Sequence, residues 1–102
     1  MEINTPPEVD KFFKSLEKPT RSKLLRTLDL LLVFGSTLGL PHSKKLAPDL
    51  YELRIRGQQE IRVFYTLSNN QVFLLHGFVK KTQKTPPQEL AKAQKLLQTL
   101  DV

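Results

Sequence analysis

Arg54 and Arg56 stand two residues apart in the segment ELRIRG, and Arg62 follows in IRVFY. Residues two apart in a strand project to the same side. Arg62 would come alongside them across a hairpin if the register permits. Guanidinium groups keep their charge and hold phosphate oxygens through paired N–H bonds. Such a cluster can bind a nucleic-acid backbone or stabilise charge that develops on phosphorus. The competing reading is an open sheet face kept soluble by arginine. Lys80, Lys81 and Lys84 form a second basic cluster between a strand end and a helix start. A helix N-terminus attracts anions, so these lysines and the helix could share one anion site. Lys44 and Lys45, near His42, add cations from a stretch read as a long loop, a place where function concentrates.

Cutting a phosphodiester also needs proton transfer, and arginine cannot be the base. Glu52, His76, Lys80 and Lys81 are the candidates, and the choice among them stays open. His76 has the best intrinsic pKa for the task, yet it sits in an apolar run where a histidine is more often a hydrogen-bonded core residue than a catalyst. Glu52 shares the arginine face by parity and could instead only orient an arginine. Arg54, Arg62, His76 and Lys80 are the residues expected to carry catalysis. Arg56, Lys81, Lys84, Lys44 and Lys45 are further cations that could bind a polyanion, which the resemblance given below makes RNA.

Other chemistries fit poorly. The chain has no cysteine and two histidines far apart, His42 and His76, so neither a thiolate nor a histidine metal site is expected. Asp49, Glu52 and Arg54 faintly suggest a metal-dependent nuclease. They are too close in sequence for two strands, and arginine cannot replace the usual lysine. There is no P-loop, GxGxxG or serine elbow, and no cofactor is expected. Lys plus Arg number 16 against 10 Asp plus Glu, a net charge of +6, which points to a polyanionic or acidic partner. No signal peptide or membrane span is expected, which suggests a cytoplasmic protein.

The elements that must position these residues fit one domain over residues 1–102. Thr5-Pro-Pro-Glu8 fits a capping box before the stripe Val9, Phe12, Phe13, Leu16. Pro6 would open this helix and Pro19 would end it. Thr20 would cap a second helix along Leu24, Leu28 and Leu31, closing at Gly35, and the two would form an antiparallel hairpin. Residues Gly35 to Asp49 read as loop. Three strands follow, at Leu50 to Arg56, about Ile61 to Leu67, and about Gln71 to Val79, with Asn69-Asn70 as a tight turn. Thr85-Pro-Pro-Gln88 repeats the capping box before a last helix along Leu90, Ala93, Leu97 and Leu100. The expected fold is α+β: two N-terminal helices, a small antiparallel meander and a C-terminal helix. The helices would share one face of the sheet and leave the arginines exposed on the other. Arg62→Ala should then leave folding nearly intact.

Three segments, ELRIRG, IRVFY and LLHGFVKKTQKTP, resemble the RelE superfamily of bacterial toxins, in its HigB-like branch with many phage-derived members. The resemblance extends over nearly the whole chain. It implies an mRNA-cleaving toxin, usually ribosome-dependent, inhibited by a helix-turn-helix HigA-type antitoxin encoded beside it. By motif it assigns phosphate binding to Arg54, Arg56, Arg62, Lys80 and Lys81. The chain departs from the RelE pattern in carrying Glu52 where a lysine is usual, and in lacking an obvious C-terminal tyrosine near Pro86, Pro87 and Gln88. The strand that opens the sheet in many relatives is reduced to Met1 to Asn4. The alternative from another class is a non-catalytic RNA-binding module using the same basic face. A third is a regulatory interaction domain.

Overall fold

Along the second of the three expected strands, Ile61, Val63 and Tyr65 alternate with Arg62, Phe64 and Thr66, and all six are buried. A strand buried on both sides needs cover on both sides. The computed structural model, which describes residues 1–100, supplies that cover. Its elements are β1 (Glu2–Asn4), α1 (Pro7–Ser15), α2 (Lys18–Phe34), β2 (Ser43–Ala47), β3 (Leu50–Ile55), β4 (Ile61–Ser68), β5 (Gln71–Val79) and α3 (Pro87–Thr99). Val9 and Phe13 of α1, with Leu24, Leu28 and Leu31 of α2, bury one face of the sheet against Leu53, Ile55, Val63 and Leu74. Each such leucine contributes about 1.5–3 kcal/mol by leaving water. On the opposite face, Ala93 of α3 meets Leu50, Phe64, Leu75 and Phe78, with Leu90, Leu97 and Leu100 around it. The fold is α+β as expected, but the helices do not share one face. The apolar stripe of α3 needs a partner of its own, and the arginine-bearing side of the sheet offers Phe64 and Phe78.

The strands run in the order β1-β5-β4-β3-β2. From β2 to β5 they form an antiparallel meander, and β1 adds a short parallel edge beside β5. Asn69 and Asn70 both adopt positive φ, 52° and 59°, as a two-residue hairpin turn requires. A bulge in β5 sets Phe64 opposite His76 and Tyr65 opposite Leu74, leaving Leu75 as the extra residue. Leu74 thereby joins the core under α1 and α2, while Leu75 joins the one under α3. This is why β5 reads as apolar on both faces.

Three expectations change. The stretch read as a loop contains β2, an edge strand whose Ser43 is buried and hydrogen-bonded to the Tyr65 hydroxyl. Neither proposed capping box forms. Pro6 and Pro86 are the N-caps, with no side-chain cap bond, and helical structure begins at Pro7 and Pro87. A threonine one residue before the cap is too far out to close the box. Pro19 does not end α1 but lies in the first turn of α2, where proline is tolerated, and Thr20 is buried inside that helix. The break falls instead at Leu16 and Glu17. Arg21 joins the helices across it by donating from Nη2 to the carbonyls of Lys14 (2.8 Å) and Leu16 (3.1 Å). The Gly35 cap does form, at φ 54°. No helix among the described residues is long and apolar enough to cross a membrane.

Phe12 of α1 rests on the bare backbone of Gly77. A Cβ there would lie 2.8 and 2.9 Å from the Phe12 ring carbons Cδ2 and Cε2. Gly77→Val is therefore expected to cost about 1–3 kcal/mol by overpacking. In chemical denaturation, the double variant with Phe12→Ala should lose less than the two single losses added together. Strict additivity would show that the ring is not the obstacle.

Candidate phosphate-binding cleft

The β3–β4 register places Arg54 directly opposite Arg62. Two like charges facing each other across a ladder repel, and two carboxylates resolve this. Glu52, two residues before Arg54 on the same face, is 1% exposed. Its Oε1 accepts from Arg54 Nε at 3.0 Å and lies 3.9 Å from Arg62 Nε. Its Oε2 accepts from the Thr85 hydroxyl at 3.0 Å. Glu60, just before β4, has Oε1 3.5 Å from both Arg56 Nη1 and Arg62 Nη2, and Oε2 accepting from the Gly57 amide at 3.3 Å.

Arg62 is the correction that matters most for function. It was expected on an exposed face and is 2% exposed, because Phe78 stands opposite it on β5 and Glu52 and Glu60 stand to either side. Its Nη1 donates to the Ile61 carbonyl at 3.0 Å, while its buried Nε has no hydrogen-bond partner. Burial draws the guanidinium pKa down; Glu52 and Glu60 oppose that, and Arg54 and Arg56 reinforce it. An arginine so placed remains a cation.

Beyond β5 the chain turns past these groups. The Lys80 amide donates to the Glu60 carbonyl at 2.7 Å, fixing where the lysines leave the sheet. Arg56, Glu60, Arg62, Lys80, Lys81, Thr82 and Gln83 line an open cleft of ≈ 450 Å³. Desolvation lowers the Lys80 pKa, and the charge of Arg62 lowers it further. The cleft and the layer beneath it gather five cations, Arg54, Arg56, Arg62, Lys80 and Lys81, around two carboxylates. The positive excess suits a phosphodiester, whose oxygens would meet guanidinium and ammonium donors together.

The other candidates lie elsewhere. His76 does not line the cleft. Its Nε2 is 2.6 Å from Glu89 Oε2 in the first turn of α3, and its ring stacks near Phe64 and Phe78. Lys84 is exposed outside the cleft, and the start of α3 offers few free N–H groups because Pro86 and Pro87 have none. Lys44 pairs in register with Glu52 but also lies outside the cleft. Lys45 turns to the other side of the sheet, 5.8 Å from the Tyr51 ring centroid.

Two participants went unread in the sequence. Glu60 looked like turn flank. Thr85 looked like a helix cap, and its hydroxyl serves Glu52 instead. Among the described residues, no three His, Cys, Asp or Glu side chains gather as metal ligands. The network makes a stability prediction. Glu52→Ala leaves Arg62 buried beside Arg54 with its closest buried countercharge gone, and should cost about 3–5 kcal/mol. Thr85→Val removes one hydrogen bond to a buried carboxylate and should cost about 1–3 kcal/mol. Urea titration of both variants reads the difference; equal and negligible losses would show that Glu52 does not hold the arginines together.

Comparison with known proteins agrees with this fold. No curated protein matches the chain. Residues 11–98 match the family described as phage derived protein Gp49-like (DUF891), so nearly all of the helical and sheet framework is included. The chain belongs to this Gp49-like, phage-derived family, within the RelE/HigB toxin superfamily.

Proposed function

We propose that the protein is the toxin of a type II toxin–antitoxin pair: an mRNA endoribonuclease that acts on translating ribosomes and is neutralised by a HigA-like helix-turn-helix antitoxin. The observation that carries this reading is the cleft where Arg56, Arg62, Lys80 and Lys81 converge. Family membership supports the same class.

In this mechanism the fixed cations do the electrostatic work. The RNA 2′-OH attacks the adjacent phosphorus, a 2′-O–P bond forms, and the P–O5′ bond breaks. The products are a 2′,3′-cyclic phosphate and a free 5′-hydroxyl. Arg62 and Arg56 face the equatorial phosphate oxygens, where negative charge grows. Arg62 is held in place before substrate arrives, so little reorganisation is needed as that charge develops. Its burial also makes each interaction stronger than it would be in water.

Lys80 is the base in this reading. Its pKa is lowered by desolvation and by Arg62, so more of it is neutral near pH 7 than for an ordinary lysine. Its Nζ takes the 2′-OH proton, and protonated Lys81 supplies one to the leaving 5′-oxygen. Glu52 orients Arg54 and offsets Arg62. His76, bonded to Glu89, fastens α3 to the sheet and takes no proton.

The decisive experiment maps RNA 5′ ends in cells after induction, and on purified ribosomes programmed with mRNA. New ends should appear with the wild type and fall by about 10²-fold or more in Lys80→Ala. Lys80→Arg should be as inactive as Lys80→Ala, because arginine keeps the charge but cannot accept the proton. Neutral Lys80 is the active form, so the wild-type rate should climb with pH and level off above its lowered pKa. A flat profile from pH 6 to 9 would remove Lys80 as base. RNA binding without new ends would make this a binding module. If the neighbouring reading frame encodes a small helix-turn-helix protein, co-expression with it should yield a complex that survives purification.

A further inference from the structure

Arg56 borders more than the proposed catalytic cleft. On its other side lies a groove of ≈ 310 Å³ between α2 and the end of β3, lined by Lys23, Arg26, Leu30, Pro41, His42, Arg54, Ile55 and Arg56. The volume is at the small end of the range for ligand sites. Its composition has two parts. Leu30, Pro41 and Ile55 provide apolar surface, while Lys23, Arg26 and Arg56 put cations around it, with His42 beside them. Among the described residues, this groove has no acidic lining residue, unlike the cleft with Glu60.

The backbone around the groove is firmly held. Lys23 Nζ donates to the Arg56 carbonyl at 3.1 Å, tying α2 to the end of β3. The Arg54 amide donates to the His42 carbonyl at 2.8 Å, tying the segment before β2 to the same strand. Arg26 is exposed, with no side-chain hydrogen bond or ion pair among the described residues.

An apolar slot edged by cations matches one chemical class well: a nucleotide within a single strand, with its base on the apolar surface and its phosphate on the rim. Aliphatic contact with a base face carries no hydrogen-bond readout of sequence, and the phosphate contacts make binding salt-dependent. We propose that this groove is a second nucleotide subsite. A single-stranded RNA whose scissile phosphate lies in the Arg62–Lys80 cleft would continue over Arg56, with a neighbouring nucleotide seated between α2 and β3. The inference rests on the cleft being the RNA site. It goes further by giving the strand a path across the molecule and by assigning Arg26, His42 and Leu30 a role.

The probe is a hexanucleotide of 2′-O-methyl RNA, which cannot be cut because it lacks the 2′-OH nucleophile. Binding is followed by amide NMR on the full chain and by fluorescence anisotropy at two salt concentrations. In the wild type, amides of Arg26, Leu30 and His42 should shift together with those of Lys80 and Lys81. Arg26→Glu should weaken the hexanucleotide about tenfold and leave a dinucleotide, long enough for the cleft alone, unchanged. Arg26→Lys should restore most of the loss. A hexanucleotide abasic at the neighbouring position should lose the Leu30 shift; retention of that shift would overturn the seating of the base. If only the Lys80 and Lys81 amides respond, the subsite is wrong and the catalytic cleft stands. If only the groove amides respond, RNA binds in the groove and the cleft reading falls. Silence at both sets overturns the subsite, while the cleft reading still answers to the ribosome experiment above.

Discussion

A single buried carboxylate makes this sheet face possible. Glu52 is taken out of water, which is tolerable for an ionised group only if its oxygens find strong partners. They do, and the partners come from three places: Arg54 on the same strand, Arg62 across the ladder, and Thr85 in the segment leading into α3. Removal of this charge would leave two arginines face to face under a helix. With it present, the same surface can be cationic at its rim and apolar at Phe64 and Phe78, where α3 rests. Glu52 thus links a local strand choice to the placement of a whole helix.

The neutralisation is incomplete, and that gives the cleft its character. Glu52 sits 3.9 Å from Arg62 Nε, beyond hydrogen-bond reach, and Glu60 lies 3.5 Å from Nη2 and is shared with Arg56. A tighter pairing would stabilise the fold and would also spend the guanidinium. As built, Arg62 is fixed in place yet retains capacity for a further anion. In the proposed function, that local energetic cost is what leaves charge free for the phosphate. The lowered pKa of Lys80 follows from the same arrangement, since desolvation and the proximity of Arg62 both disfavour its ammonium form.

Much of this was legible in the sequence where a local rule suffices. Alternation placed β3 and β4, paired asparagines placed the turn before β5, and parity put Glu52, Arg54 and Arg56 on one face, which Arg62 joins through the β3–β4 register. What failed depended on contacts distant in sequence. Ser43 and Lys44 show no strand signal, and β2 exists because β3 offers an edge and Tyr65 a hydroxyl for Ser43. The burial of Arg62 could not be seen without knowing that Phe78 stands opposite it and that Glu52 and Glu60 close on it. Thr85-Pro-Pro-Gln88 and Thr5-Pro-Pro-Glu8 have the same form, yet in both the second proline starts the helix and leaves the threonine outside it. Thr85 serves the Glu52 carboxylate instead, whereas Thr5 has no side-chain hydrogen bond among the described residues. Glu60 was unreadable because nothing in Gly57-Gln58-Gln59-Glu60 says that the turn folds its last residue back between two arginines.

The two arginines that share Glu60 differ in a way that divides their work. Arg62 is buried, so its position is determined by packing and its field acts in a medium that screens poorly. Arg56 is 61% exposed in its side chain, so its contact with Glu60 is worth little and easily exchanged. An exposed cation can reach out to an arriving polyanion and release its carboxylate at low cost, whereas a buried one can only wait for it. Arg56 lies between the cleft and the groove beside α2; in the proposed function it would capture and guide the strand, and Arg62 would stabilise charge once the strand is seated. The distinction does not come from residue type, which is identical. It comes from position: Arg62 stands in mid-ladder between Arg54 and Phe78, whereas Arg56 follows the last residue of β3.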